Sequence, residues 1–324
     1  DGRNVKMVKV NREGKITNSS YVEIPEGVMV AGKIESKRIL TDSVKVARKK
    51  LGTSFNRCSL VINSKDVVVR QITIPIMPAE NIPRSIELEL SGFLPIATDK
   101  YMIDYILRGE TVFDDIRKYM LTIIAVPKDI IHSYADCVKD AGFKVEYIDV
   151  IENSIEKLGK FIMSGKGSFP KDYLHLQIEH QKTCASIYMN SSINMTKNID
   201  NGVYKIASDI SEMLGKPIEI AYNAIFYEDF LYSERIYLSE KKVLEKYLDE
   251  IAAECNRFVE YYKNRNRDSA IDTIYLSGSY SQIKGIAEYI QDRAGIKVKK
   301  FSDFVNEFVV SSDNRTDIMD YTAA

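Results

Sequence analysis

Two carboxylates, Asp149 and Glu152, stand three residues apart ahead of Ile155, Leu158 and Ile162, an apolar run at helical spacing. The D-x-x-E pattern has two readings. Asp149 can serve as an acid near a nucleotide's metal, or the pair can cap a helix by taking the orphan N–H groups of its first turn. Capping is the expectation here. The other reactive side chains form no constellation. Cys58, Cys137, Cys184 and Cys255 are far apart and make no paired motif, which predicts buried free thiols in a reducing compartment. His132, His175 and His180 offer no H-E-x-x-H and no cysteine at ligand spacing, so no metal site is expected. Ser64, Ser91 and Ser277 lack a G-x-S-x-G setting. There is no P-loop, and the many carboxylates are scattered. No catalytic residue is predicted.

Composition narrows the class. The chain has 324 residues, 45% hydrophobic and 28% charged, which is globular and large enough for two lobes. A net charge of −1 supplies no global field toward nucleic acid or anionic membrane. The basic runs Lys45–Lys50 and Lys297–Lys300 are short and adjoin apolar residues, so they read as solvated faces. No apolar run reaches the ~18 residues of a membrane span, and no signal peptide is visible. The chain opens without Met, on an Asp1-Gly2 that lacks a preceding strand, so flanking residues are expected beyond both ends.

The elements that must position any site follow from periodicity. Val5–Val10 and Ile16–Ile24 read as a hairpin around Asn11–Lys15, and Val28–Ile34 as a short strand broken by Gly32. Leu40, Val44, Ala47 and Leu51 mark a helix ended by Gly52, and Cys58–Asn63 an apolar strand buried on both faces. Then come a strand from Val67, a helix over Ile82–Leu94, strands at Tyr101–Arg108 and Lys118–Val126, a helix through Ile130–Ala141 and a strand at Lys144–Val150. The intervening GETVFDDI reads as a turn, and Met163–Asp172 as a linker. Beyond it, strands are expected at Tyr173–Ile178, Cys184–Met189 and Ile193–Ile199, with helices through Val203–Leu214 and Ile218–Phe226. The stripe from Leu244 to Tyr262 reads as core, Ile271–Leu276 as a strand, Ser281–Arg293 as a helix and Lys297–Phe301 as a strand.

One stretch carries a family resemblance. Arg70, then Ile74-Pro75-x-Met77, a helix with Glu87 and Glu89, then Phe93-Leu94-Pro95-Ile96 resembles the PilM-type pilus assembly family. That family belongs to the actin-like superfamily, near the cell-division protein FtsA. The resemblance implies an α/β, actin-like (ribonuclease H-like) two-lobed fold with a small α+β inserted subdomain. Residues 1–65 and 149–165 would form the first lobe, 66–148 the insert and 166–324 the second lobe.

The same resemblance implies a nucleotide cleft built on glycine-bearing turns, which bring backbone N–H groups close to phosphate. Gly2, Asn4 and Lys6 would form the first phosphate turn. Gln177, Glu179 and Thr183 stand where the second reads D-x-G-x-x-x-T. Gly202 lies at a glycine pair, Tyr222 at the ribose-holding Glu, and Gly278 and Ser279 near adenine. Glu179 puts an anion where phosphate would sit, and Gln177 removes a carboxylate that would order magnesium. ATP and Mg²⁺ are implied by the family, and these replacements predict that the site has decayed and that ATPase activity is absent.

The function implied is a cytoplasmic adaptor of the type IV pilus machine, peripheral at the inner face of the membrane. Its implied partners are the N-terminal tail of the inner-membrane protein PilN, other pilus machinery proteins, and further copies of itself in a ring or other homo-oligomer. An extended tail needs backbone donors and apolar pockets, and Val68, Arg70, Ile72, Tyr147 and Ile151 are the expected groove residues. The alternatives are an actin-like ATPase and an FtsA-like filament former. The latter needs a C-terminal amphipathic helix, which Ser311–Ala324 does not suggest.

Overall fold

The structure is a computed structural model that describes residues 2–52, 54–92, 94, 97–113, 115–164, 169–227, 231, 238–265 and 270–305. Phe93, Pro95 and Ile96 of the resemblance motif, linker positions 165–168 and the stretch 311–324 lie outside the described residues.

β1 (Asn4–Val10) and β2 (Ile16–Glu23) form an antiparallel ribbon. Asn11 sets the turn between them, its Oδ1 accepting from the Glu13 and Lys15 amides at 3.0 and 2.9 Å. Val28–Ile34, expected as one strand, is a minimal hairpin of β3 (Met29–Val30) and β4 (Lys33–Ile34). Positive φ at both Ala31 (53°) and Gly32 (82°) folds the chain back there. α1 (Lys37–Leu51) buries Leu40, Val44, Ala47 and Leu51 and stops at left-handed Gly52. β5 (Arg57–Ile62) is half exposed and fully buried only at Ile62. The burial on both faces expected of it is not found: among the described residues it ladders to β9 alone, in a two-stranded sheet.

β6 (Val68–Pro75), α2 (Ile82–Ser91), β7 (Tyr101–Phe113) and β8 (Ile116–Pro127) follow. The expected GETVFDDI turn is mostly strand. Gly109, at φ 135°, absorbs a register shift after Leu107, and pairing runs on to Phe113 and Ile116. α3 (Lys128–Asp140), β9 (Lys144–Val150) and α4 (Ile151–Ser164) complete this part of the chain. β9 pairs in parallel with β5, and α3 packs on α1.

Next come β10 (Tyr173–Ile178), β11 (Thr183–Met189), β12 (Ser192–Ile199), α5 (Val203–Leu214), α6 (Ile218–Tyr227) and α7 (Leu238–Arg265). β13 (Thr273–Ser277), α8 (Ile286–Ala294), β14 (Lys297–Lys300) and α9 (Ser302–Val305) end the described chain. α8 begins later than the apolar spacing predicts, because Gly285 takes left-handed φ 78° and resets the chain.

The main sheet runs β14-β13-β10-β11-β12-β6-β8-β7. A single pairing, Met195 with Arg70, joins β12 to β6 and so extends the sheet through the three strands that carry α2. One core packs α5, α6, α7 and α8 on β10, β11 and β13. A second lies under α1, α3 and α4, and a small third sits between α2 and β6/β8. A buried ion pair ties these parts together. Arg108 of β7 donates from Nη1 and Nη2 to Glu156 of α4 at 2.7 Å each, and Glu156 also accepts from the Ile193 amide of β12.

Candidate functional site

The cleft between β1 and the β10–β11 turn holds most of the residues that the phosphate-turn reading selects. Glu179, 4% exposed, directly follows β10 there. Its Oε1 accepts from Gln177 Nε2 at 2.8 Å, and its Oε2 lies 3.5 Å from the Ser279 amide. Burial alone would raise this carboxyl, but the nearby Lys6 charge and the Gln177 and Ser279 donors hold it below the usual carboxylate value. Lys6 Nζ in turn donates to Ser279 Oγ at 2.6 Å. A protein carboxylate therefore faces the lysine and the turn amide.

The glycines of the cleft are explained by packing. A Cβ on Gly202 would overlap the backbone of His180–Lys182, and one on Gly278, at φ 94°, would overlap the Ile178 carbonyl. Gly2 lies against the Gln181 side chain. The α5 N-terminus, a natural anion site, is engaged by its own chain. The Val203 and Tyr204 amides donate to the Glu179 and His180 carbonyls at 3.2 and 2.8 Å. Thr183 Oγ1 donates to the Asn201 carbonyl at 2.6 Å. Asn4 is buried at the start of β1.

Aromatic side chains fill the adjoining space. His180 stacks between Tyr222 and Tyr280, with ring centroids at 5.8 and 6.1 Å. Burial first, then the Arg3 charge, lowers its pKa to about 4. Its Nδ1 lies within hydrogen-bonding distance of Tyr280 OH at 3.0 Å and Tyr222 OH at 3.2 Å, two hydroxyls that share the one ring nitrogen. The Arg3 guanidinium caps this stack, 4.4 Å from the Tyr222 ring centroid. Gln181 reaches the β3–β4 hairpin, donating to the Met29 carbonyl and accepting from the Ala31 amide.

The D-x-x-E pair does not cap α4 reciprocally. Asp149 accepts from the Val150 amide, Asn153 Nδ2 and Lys157 Nζ. Glu152 is buried instead, with Cys184 Sγ 3.9 Å from its Oε1. Burial raises its pKa, against the opposing Lys182 charge. A side chain facing the interior cannot reach back to the helix cap.

The five expected groove residues do not share one surface. Val68, Arg70 and Ile72 lie on β6, laddered to β8 along its length and to β12 at Arg70, and Ile72 packs toward the α2 core. Ile151 is buried in the core under α1 and α3. Tyr147 stands out. It is 72% exposed on β9, and its neighbour Ile148 is 40% exposed. Among the described residues β9 is laddered to β5 alone, so its other edge is open. Ile148 was not among the expected groove residues; with Tyr147 it makes two consecutive exposed apolar residues within β9. Arg3, His180 and Tyr280 were missed because a single cation or ring beside a glycine turn carries no motif.

A family model described as type IV pilus assembly protein PilM matches residues 2–323. The structure is similar to a solved PilM-PilN type IV pilus biogenesis complex, with a TM-score of 0.81 at 14% identity, covering 99% of this chain and 94% of that one. It is also similar to the ethanolamine utilization protein EutJ from Carboxydothermus hydrogenoformans, with a TM-score of 0.57 at 12% identity and coverage of 92% and 81%. MreB5 of Spiroplasma citri bound to ADP gives 0.52 at 14% identity, with coverage of 94% and 80%. Among curated proteins none matches. These likenesses give the fold as actin-like and two-lobed.

Proposed function

Because the chain belongs to the type IV pilus assembly protein PilM family, we propose that it is an adaptor that holds the N-terminal tail of a PilN-like inner-membrane protein. The similar solved structure is described as a PilM-PilN complex, which supports the partner. The observation that carries the docking mode is the open edge of β9, with Tyr147 and Ile148 exposed beside it. An extended tail adds to such an edge through main-chain hydrogen bonds, while alternate side chains select it. Val68, Arg70 and Ile72 sit on a strand flanked on both edges, so β9 takes the leading role in this reading.

The cleft acts in this account as a structural joint. Glu179 stands in for a phosphate opposite Lys6, and Tyr222, His180 and Tyr280 occupy the nucleoside side. Neither binding nor hydrolysis of nucleotide is part of the function proposed. The protein works in the cytoplasm, held at the membrane through its partner. No helix among the described residues is long and apolar enough to cross a membrane.

The test is an anisotropy titration of a labelled N-terminal tail peptide of the PilN-like partner. Tyr147→Asp places a charge on the docking edge and should weaken binding at least tenfold. Unchanged affinity would remove β9 from the account.

A further inference from the structure

Three connections meet at the end of β1 away from the cleft: the β1–β2 turn, the stretch from α1 to β5 and the turn from α3 to β9. Asn18 Nδ2 donates to the Leu51 carbonyl at 2.7 Å, Lys9 Nζ lies 5.3 Å from the Phe55 ring centroid, and Arg48 Nη1 donates to the Gly142 carbonyl at 2.9 Å. The charge gathered there is lopsided. Residues 9–15, 42–57 and 139–146 hold ten lysines and arginines against four carboxylates, Glu13, Asp42, Asp140 and Glu146, on a chain of net charge −1. The remainder of the chain is therefore acidic. Among the described residues, Lys45 and Arg57 are the members of this group that form ion pairs, with Asp42 and Glu146. Asp140 is taken by Lys37 from outside it. Arg12, Lys15, Lys49 and Lys144 are exposed. Apolar side chains stand among these cations, Phe55 at 62% exposure and Val10 at 51%. The run Lys45–Lys50 is short in sequence, but the fold joins it to cations from two other turns.

We propose that this end of the molecule docks on an anionic lipid bilayer. The cations are spread over three turns instead of converging on one point, which suits a broad, diffuse anionic plane. A single bound anion would instead need donors forked onto one position. Phe55 and Val10 beside the cations add the apolar contact that a headgroup layer accepts and a purely acidic protein surface does not. A hollow lined by Lys45, Arg48, Lys49 and Ser54 lies between two of the turns and gives a headgroup phosphate a place to sit. Each cation close to an anionic leaflet strengthens association about fivefold. The excess of cations over carboxylates is thus enough for reversible adsorption, and the acidic remainder, repelled by the same surface, turns away and fixes the orientation. The contact needs no spanning helix and adds to whatever a membrane-anchored partner supplies. It does not rest on the docking of a tail at β9.

The experiment is co-sedimentation of the whole protein, with no partner peptide, on vesicles of phosphatidylcholine alone or with about one third phosphatidylglycerol. The proposal expects binding to the anionic vesicles only, weakened about tenfold or more as salt rises from about 50 to about 500 mM. Arg12→Glu, Lys15→Glu and Lys49→Glu together should weaken it about tenfold or more. Lys216→Glu, Lys242→Glu and Lys263→Glu, which change net charge equally elsewhere on the surface, should leave it within about twofold. Thermal midpoints report whether each variant folds. Arg12→Glu with Lys15→Glu, confined to an exposed turn, gives the same reading where the triple variant does not fold, with a loss of about fivefold or more. Equal binding to neutral vesicles, equal loss in the two triple variants, or no binding to anionic vesicles overturns the proposal. So does release by ~10 mM glycerol phosphate, which would assign a soluble phosphate ligand. Binding to polyaspartate without binding to vesicles overturns it in favour of an acidic protein.

Discussion

Lys6 of β1 and Ser279 of the turn after β13 are joined by a 2.6 Å hydrogen bond, 273 residues apart in sequence. The Glu179 carboxylate completes the group from the end of β10. Three separate segments thus meet at an internal ion cluster in the cleft.

That cluster should contribute stability with a defined pH dependence. Glu179 has a folded pKa below its unfolded value of 4.5. Its contribution is therefore present above pH 4.5 and is lost as pH falls through the lowered folded value. Glu179→Gln should destabilise the protein by about 2 kcal/mol at neutral pH, since Lys6 keeps its charge without the anion. Denaturant titrations at neutral pH and below about pH 4 should show the difference shrinking at low pH.

The buried histidines act over a higher window. Burial lowers His175 to about 3, and it lies 2.7 Å from Ser277 Oγ. His180 is lowered to about 4 by burial and then Arg3. The unfolded chain takes up protons below pH 6.5 while the folded one does not, so stability falls as pH drops from there. Each should cost about 2 kcal/mol at about pH 5 relative to pH 8. His175→Gln should flatten the profile by one such share, measured by chemical denaturation across that range.

The ion pair between Arg108 and Glu156 predicts a non-additive pair of substitutions. Their side chains are 9% and 3% exposed. Arg108→Met should cost about 3 kcal/mol by leaving the buried Glu156 carboxylate with Lys160 and the Ile193 amide as its remaining partners, whereas Arg108→Met with Glu156→Met should recover most of it. A double-mutant cycle of unfolding free energies checks this. Additive losses would show that the pair does not couple β7 to α4.

Gly202 and Gly278 should tolerate no side chain. Ala at either meets backbone rather than a yielding side chain, and at Gly278 it also takes positive φ. Each substitution should cost about 3 kcal/mol or more, read as a fall in thermal midpoint. A phosphate-contact role alone would leave the midpoint of the nucleotide-free protein unchanged.

Much of the architecture was readable from periodicity. The Leu244–Tyr262 stripe is buried core, as expected, and Gly52 and Gly215 end their helices in left-handed conformation. What local pattern could not supply was pairing across long separations. Nothing near Arg70 announces Met195 as its ladder partner, and nothing near Asp149 shows that Glu152 would turn toward Cys184. In the cleft, the Glu179 replacement was visible as a charge out of place. Its compensation by Ser279, and the Tyr280 ring beside His180, depend on segments 100 residues apart, although the Gln177 donor lies only two residues away.

The central claim is that β9 docks a partner's tail while the cleft remains closed by its own side chains. Hydrogen exchange of the whole protein, with and without the PilN-like tail peptide and each with and without Mg-ATP, tests it most directly. The account predicts that the tail protects the amides of 144–150 and that Mg-ATP changes neither this protection nor the exchange of residues 177–183. Tail protection that spares β9 or requires Mg-ATP, or nucleotide protection centred on Glu179, would contradict it.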